Sequence, residues 1–195
     1  MDLSEFFRAG FAEHAAVLRA TEERLAGPFG ELVGLAAGSL RGGGRLLFFG
    51  NGGSAADAQH LATEFTVRFV RDRAALPALA LTADTATLTA IGNDYGFERL
   101  FARQIEAHGR PGDLAIGLST SGRSPNVVAG LRAAAALGLG AAALTGGDGG
   151  DLPGLARPLL CVPSRITARI QEMHMLLGHL LCGAVERELG LVGGD

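Results

Sequence analysis

Leu46-Leu47-Phe48-Phe49-Gly50-Asn51-Gly52-Gly53-Ser54 is an apolar run that ends in a glycine-rich loop, with a helical pattern beginning at the serine. Leu114-Ala115-Ile116-Gly117-Leu118-Ser119-Thr120-Ser121-Gly122-Arg123-Ser124-Pro125 repeats the arrangement, now with hydroxyl residues in the loop. A short apolar run bounded by glycine suits a strand buried on both faces of a parallel sheet. A loop leading from such a strand into a helix presents unpaired N–H groups and the positive end of the helix dipole. Both loops therefore read as anion sites, and a phosphate or phosphosugar is the guest they suit. In the second loop Ser124 is placed to cap the helix and Pro125 to occupy its first position. Ser119, Thr120 and Ser121 add hydroxyl donors around the same point. The plain alternative, strongest for the first loop, is a pair of ordinary strand-to-helix turns, since glycine alone marks only a turn.

Outward from these loops the chain alternates. Strands are predicted at 46–49, 78–81, 114–118, 140–144 and 159–162, and helices at 54–70, 84–91, 97–107, 124–138 and 166–189. Ahead of them, Phe6, Phe7, Phe11, Ala15, Leu18 and Leu25 recur at helical spacing over 3–26. Gly27-Pro28 is predicted to break that helix, and a second runs over 31–40. The expected fold class is α/β: a three-layer, five-stranded parallel sheet with helices on both faces and two extra N-terminal helices. The 195 residues read as one domain, a helical pair over 1–42 and an α/β core over 45–195. Ligands of such sheets bind beyond the carboxyl ends of the strands, where both loops, Thr82, Asp84 and Thr145 fall. The Phe-, Leu- and Ala-rich first helix buries its surface either on its own core or against another copy; oligomerisation is our reading.

Composition narrows the classes. Hydrophobic residues make up 48% and charged residues 19%, which is globular rather than disordered. A net charge of −3 without a basic tract argues against nucleic acid or an acidic membrane as the main partner. Cys161 and Cys182 show no CxxC spacing, and so few cysteines fit a reducing cytoplasm. The first residues lack the basic region and apolar run of a signal peptide, and no uncharged run reaches membrane-spanning length.

His60 and Glu64 are four apart, so they share a helix face about two turns from the first loop. The last helix carries Gln171, Glu172, His174 and His179 among apolar residues, a pattern in which polar side chains line a cavity. Gln171 and His179 are separated by about 12 Å along the axis, so meeting at one point needs converging side chains or a bend near Gly178. His60, Glu64, Gln171 and His179 together would make a mixed nitrogen and oxygen site suited to zinc or a similar divalent ion. The bland alternative is a surface i,i+4 pair. His174 reads equally as a core or interface histidine, and Glu186 and Glu188 as solvated.

At this point the chain resembles a family, the sedoheptulose 7-phosphate isomerases, members of the sugar isomerase (SIS) domain proteins. The resemblance is carried by Gly50-Asn51-Gly52-Gly53-Ser54-Ala55-Ala56-Asp57-Ala58-Gln59-His60 with Glu64, and by Gly92-Asn93-Asp94-Tyr95. It continues in Ser119-Thr120-Ser121-Gly122 with Ser124, Leu144-Thr145-Gly146 with Asp148-Gly149-Gly150, and Arg169-Ile170-Gln171-Glu172-Met173-His174. It implies a flavodoxin-like SIS domain assembled as a homotetramer with sites between subunits. It implies substrate contacts at Asn51, Gly52, Gly53, Glu64, Asn93, Asp94, Ser119, Thr120, Ser121, Ser124 and Gln171. It further implies one zinc per subunit on His60, Glu64, Gln171 and His179, with Glu64 and His179 as the acid/base pair. Two departures are Ala168, where some members carry aspartate, and Arg123, where asparagine is frequent; Arg123 either adds charge beside the phosphate or points to solvent.

The implied reaction converts sedoheptulose 7-phosphate to D-glycero-D-manno-heptose 7-phosphate, the first step of nucleotide-activated heptose biosynthesis. Moving a proton between adjacent carbons through an enediol needs a base, an acid and stabilisation of a developing oxyanion. Glu64 would take the carbon-bound proton with His179 as partner, and the serine loop would hold the remote phosphate. No nucleotide cofactor is needed. A dinucleotide oxidoreductase is a poor rival: Gly50-x-Gly52-x-x-Ala55 fits the relaxed fingerprint, but the next acid, Asp84, comes too late. The other rival, a non-catalytic phosphosugar- or partner-binding SIS protein of the replication-initiator-associating type, need not keep Glu64 and His179.

Overall fold

A computed structural model describes residues 2–192; residues 1 and 193–195 of the expected 1–195 domain lie outside the described residues. The elements, in order, are α1 (Leu3–Arg41), β1 (Leu46–Gly50), α2 (Gly53–Thr66), β2 (Ala78–Ala80), α3 (Thr85–Asp94), a 3-10 turn (Phe97–Arg99), α4 (Leu100–His108), β3 (Leu114–Ser119), α5 (Pro125–Ala136), β4 (Gly140–Gly146), β5 (Leu159–Val162) and α6 (Thr167–Glu188). All strand pairs are parallel, in the order β2-β1-β3-β4-β5. That is the flavodoxin-like order, whose switch point lies between β1 and β3.

Side-chain alternation explains the three layers. Leu46 and Phe48 of β1 face one side with Leu114, Ile116 and Leu118 of β3, against α1, α2 and α6. Leu47 and Phe49 face the other with Ala115, against α4 and α5. Every residue of β1 and β3 is buried, as a strand covered on both faces requires.

The N-terminal prediction needs correction. One helix, α1, runs through Gly27-Pro28 where two were expected. An interior proline costs about 3 kcal/mol through its missing N–H and ring clash. Here packing on both sides of the proline offsets that cost: Leu25 precedes it, Leu32 and Ala36 follow, and all three lie buried in the core with Leu46 and Phe48. The ends of α1 differ. Its C-terminal half packs on its own sheet, whereas Phe6, Phe7 and Phe11 are each 65% exposed. Among the described residues no helix is long and apolar enough to cross a membrane.

Candidate active site

Both loops reach the carboxyl ends of β1 and β3, where Gly50 pairs in register with Leu118. Glycine is required at 50: a Cβ there would stand 2.7 Å from the Leu118 carbonyl and 2.8 Å from Ser54 Cβ. Asn51 and Asn126 bridge the two loops through reciprocal amide bonds, each Nδ2 donating to the other Oδ1 at 2.8 Å. Asn51 is thus engaged by the fold itself. Asn126, 1% exposed, carried no signal in the sequence beyond following Pro125.

In the second loop Ser124 sits at the N-cap of α5 with extended backbone, but its side chain makes no capping bond. Its hydroxyl instead lies 3.2 Å from that of Ser119, which also accepts from Gly122 N–H at 3.2 Å. The expected cap is therefore positional only. Gly122 has φ +66°, and a Cβ there would meet the Gly149 carbonyl at 2.1 Å. Gly149 (φ +84°) and Gly150 (φ +60°) are left-handed as well, and a Cβ on Gly150 would meet Gly122 and the Ser121 carbonyl at 2.6 Å. Asp148-Gly149-Gly150 thus forms the bed of the serine loop. Arg123 stays 57% exposed and pairs with Asp148 at 3.0 Å; the Gly150 N–H first, and then this arginine, hold the Asp148 carboxyl below its ordinary range.

Thr120, Ser121, Arg123, Ser164, Arg165 and Thr167 line a cavity of about 400 Å³ over this loop. The first turn of α6 contributes too, so a second helix N-terminus lies beside the cavity. Asp148 lines it too and pairs with Arg123; Arg165, four hydroxyl residues and the helix N-terminus remain to suit a phosphate. Ser164, Arg165 and Thr167 were missed in the sequence, because the β5-to-α6 connection lacks the glycine pattern of the other two.

The second cluster joins α2 to α6. His60 Nε2 lies 3.0 Å from His179 Nε2 and 3.3 Å from Glu64 Oε1. At that separation one ring donates and the other accepts, the tautomers deciding which. Phe69 stacks on His179, with centroids 5.7 Å apart. Gln171 is engaged elsewhere: its Nε2 donates to Asp57 Oδ1 at 3.2 Å, and its amide fills the space where a Gly53 Cβ would stand, 2.4 Å away. α6 is unbroken at Gly178. That glycine lets the helices approach, since a Cβ there would meet Leu61 Cδ2 at 2.5 Å. The two helices run side by side, so Gln171 and His179 meet different levels of α2 rather than one point. Asp57, three residues before His60, is on the same face and was legible from spacing. Burial pushes its carboxyl up, against the Gln171 bond and the nearby His60. Its Oδ2 has no partner.

Asn93 and Asp94 are not brought to either cluster within this chain; they sit at the exposed end of α3, Asn93 Nδ2 donating to Asp94 Oδ1 at 2.7 Å. Thr82 bonds the Ala55 carbonyl, and Asp84 caps α3 through Thr87. His174 is a core histidine, 0% exposed, its Nε2 3.1 Å from the Thr145 carbonyl. Burial pushes its pKa down to about 4. Glu186 is not solvated as expected: its side chain is 2% exposed and paired with Arg73.

With the two clusters in view, the comparisons are direct. The SIS domain family matches residues 11–146. A phosphoheptose isomerase of Paramagnetospirillum magneticum is 57% identical over 186 residues, covering 95% of this chain and 97% of its own. One of Aquifex aeolicus is 52% identical, covering 90% and 92%. The solved phosphoheptose isomerase GmhA of Neisseria gonorrhoeae superposes with TM-score 0.89 at 44% identity, covering 95% of this chain and 99% of that one. The enzyme of Francisella tularensis does so at 0.92 and 35%, covering 96% and 100%. The chain therefore belongs to the SIS domain family and, within it, groups with the phosphoheptose isomerases.

Proposed function

We propose that this protein isomerises sedoheptulose 7-phosphate to D-glycero-D-manno-heptose 7-phosphate through an enediol. Beyond the kinship, the observation that carries the reading is the meeting of Glu64, His60 and His179 across α2 and α6, the latter of which opens beside the serine loop. The hydroxyls of Ser119, Thr120, Ser121 and Ser124 and the α5 N-terminus hold the phosphate. Binding energy from that remote group fixes the acyclic carbons in place. Asn51, Gly52 and Gly53 bound the sugar chain on the β1 side. Glu64 takes the carbon-bound proton, and His179, held by His60, serves the oxygens; their order of action is interchangeable. Gln171, oriented by Asp57, presents its remaining amide atoms to the substrate. A non-catalytic binding role explains neither this pair nor its convergence.

The donor set fits a divalent cation. Two imidazole nitrogens on one tetrahedral zinc stand about 3.3 Å apart, close to the 3.0 Å between His60 and His179, with a carboxylate alongside. Among the described residues no group of three or more His, Cys, Asp or Glu side chains is arranged to hold a metal ion, so the ligands would have to close on it. We propose His60, Glu64 and His179 as ligands, Gln171 joining by leaving Asp57; when bound, the ion supplies polarisation of the carbonyl. We also propose a homotetramer. Leu3, Phe6, Phe7 and Phe11 are exposed beside a groove of about 660 Å³, and sites shared between copies would give Asn93 and Asp94 a substrate to bind.

Incubation with sedoheptulose 7-phosphate, followed by NMR in deuterated solvent with and without a chelator, tests the reading. Interconversion with solvent exchange of the carbon-bound proton is expected, slowed by the chelator. Absence of interconversion in metal-replete protein overturns it. Light scattering tests the tetramer.

A further inference from the structure

We infer that the buried Arg73–Glu186 ion pair is a positioning device: it fixes the end of α2 that carries His60 and Glu64 against the stretch of α6 that carries His179. The inference rests on the isomerase reading above. Arg73 arrives from the irregular segment between α2 and β2, yet its side chain is 2% exposed, as is that of Glu186. Its Nε donates to Glu186 Oε1 at 2.8 Å. Nη2 donates to the backbone carbonyl of Glu64 at 2.7 Å. Nη1 donates to the carbonyls of Phe65 at 2.6 Å and Ala74 at 3.0 Å. Glu64 and Phe65 belong to the last turn of α2, where carbonyls have no helical partner. A guanidinium, with five N–H groups in a planar fork, can serve a carboxylate and several carbonyls at once; an ammonium cannot.

Glu186 follows His179 by seven residues, two turns on the same face of α6. Its Oε1 also accepts from the Phe69 N–H at 3.3 Å, and the Phe69 ring is the one stacked on His179. One carboxylate thus ties down both the backbone of Glu64, through Arg73, and the aromatic ring against His179. Cys182 lies between the two on α6, 1% exposed. It belongs to the core cluster that holds Leu61 and Phe65 of α2, so its exposure reports on how closely the two helices stay packed. A buried pair is a weak source of net stability compared with an apolar replacement. The direct bond to the backbone of Glu64 points to placement of the reacting groups.

The test compares Arg73→Lys and Glu186→Gln with Leu131→Ala, a cavity variant in the opposite layer. In the two pair variants kcat is expected to fall at least about tenfold with KM within about twofold, because small misplacement of reacting groups is costly. Cys182 should react faster with a thiol reagent in both. Leu131→Ala should lose as much melting temperature while keeping kcat near wild type. Should Glu186→Gln fail to fold, Arg73→Lys decides alone. The inference is overturned if kcat stays within twofold of wild type in the folded pair variants. It is equally overturned if the loss falls on KM, or if Leu131→Ala loses as much kcat at equal loss of melting temperature. A wild-type protein without isomerase activity would sink the functional reading instead, and is seen before any variant is made.

Discussion

The two loops at the switch point share one grammar and meet different fates. Each follows a buried strand and opens a helix, and each is rich in glycine or serine. In the first, Gln171 lies against Gly53 and Asn51 is locked to Asn126, while Gly52 and Gly53 stay exposed and the loop borders a cavity of about 390 Å³ with Leu88, Phe97 and Phe101. In the second, the hydroxyls pair among themselves, beneath a cavity lined by two arginines and Asp148; neither helix carries a side-chain cap. Local sequence thus makes a helix N-terminus, while the elements packed around it decide how polar the cavity beside it is. Here α6 touches the first loop with its Gln171 and borders the cavity of the second with Thr167 and Ile170.

The largest expected break separates chemistry, at Glu64 of α2 and His179 of α6, from binding at the serine loop before α5. Glu64→Gln and His179→Gln should each lower turnover by about a hundredfold to ten-thousandfold while sugar-phosphate binding persists. Steady-state kinetics with calorimetric binding and metal content in the same samples check this. Near-normal turnover of Glu64→Gln with normal metal would move the base elsewhere.

Acid should next loosen the second loop's side of the sheet through His174, which bonds the Thr145 carbonyl beneath it. The folded ring resists protonation down to about 4, whereas an unfolded ring takes its proton near 6.5. Between those values the unfolded state binds more protons. The stabilisation is therefore complete above pH 6.5 and is lost as pH falls towards 4, on the order of 3 kcal/mol in all. Urea unfolding at pH 7 and at pH 4.5, for wild type and His174→Asn, measures it; a parallel decline in both would discount the histidine.

Ser121→Ala should raise KM for the sugar phosphate by about tenfold with little change in kcat, as expected for one hydrogen bond to a charged group. Unchanged KM there and in Ser124→Ala would remove the loop from the site. Gly53→Ala should act on the other loop and more weakly. Its methyl group displaces the flexible Gln171 amide rather than backbone, so a loss of roughly fivefold in kcat, within the range of small misplacements, is expected by the same assay. A loss in KM alone would make the two loops functionally alike.

Much of this was readable before any coordinates. Short apolar runs bounded by glycine, proline or polar residues marked all five strands, and the i,i+4 spacing put His60 and Glu64 on one face, because both signals are local and follow from backbone geometry. Family motifs added the substrate and metal expectations. Tertiary structure alone decided the rest. Pro28 stays helical because Leu25 and Leu32 are buried on either side of it. Glu186, on an apparently solvated stretch, is buried because Arg73 reaches it across 113 residues. His179 meets His60 while Gln171 turns to Asp57 because Gly178 brings two helices together along their length. Propensity and spacing act within a few residues, whereas these outcomes depend on which surfaces meet, a property of the packed chain.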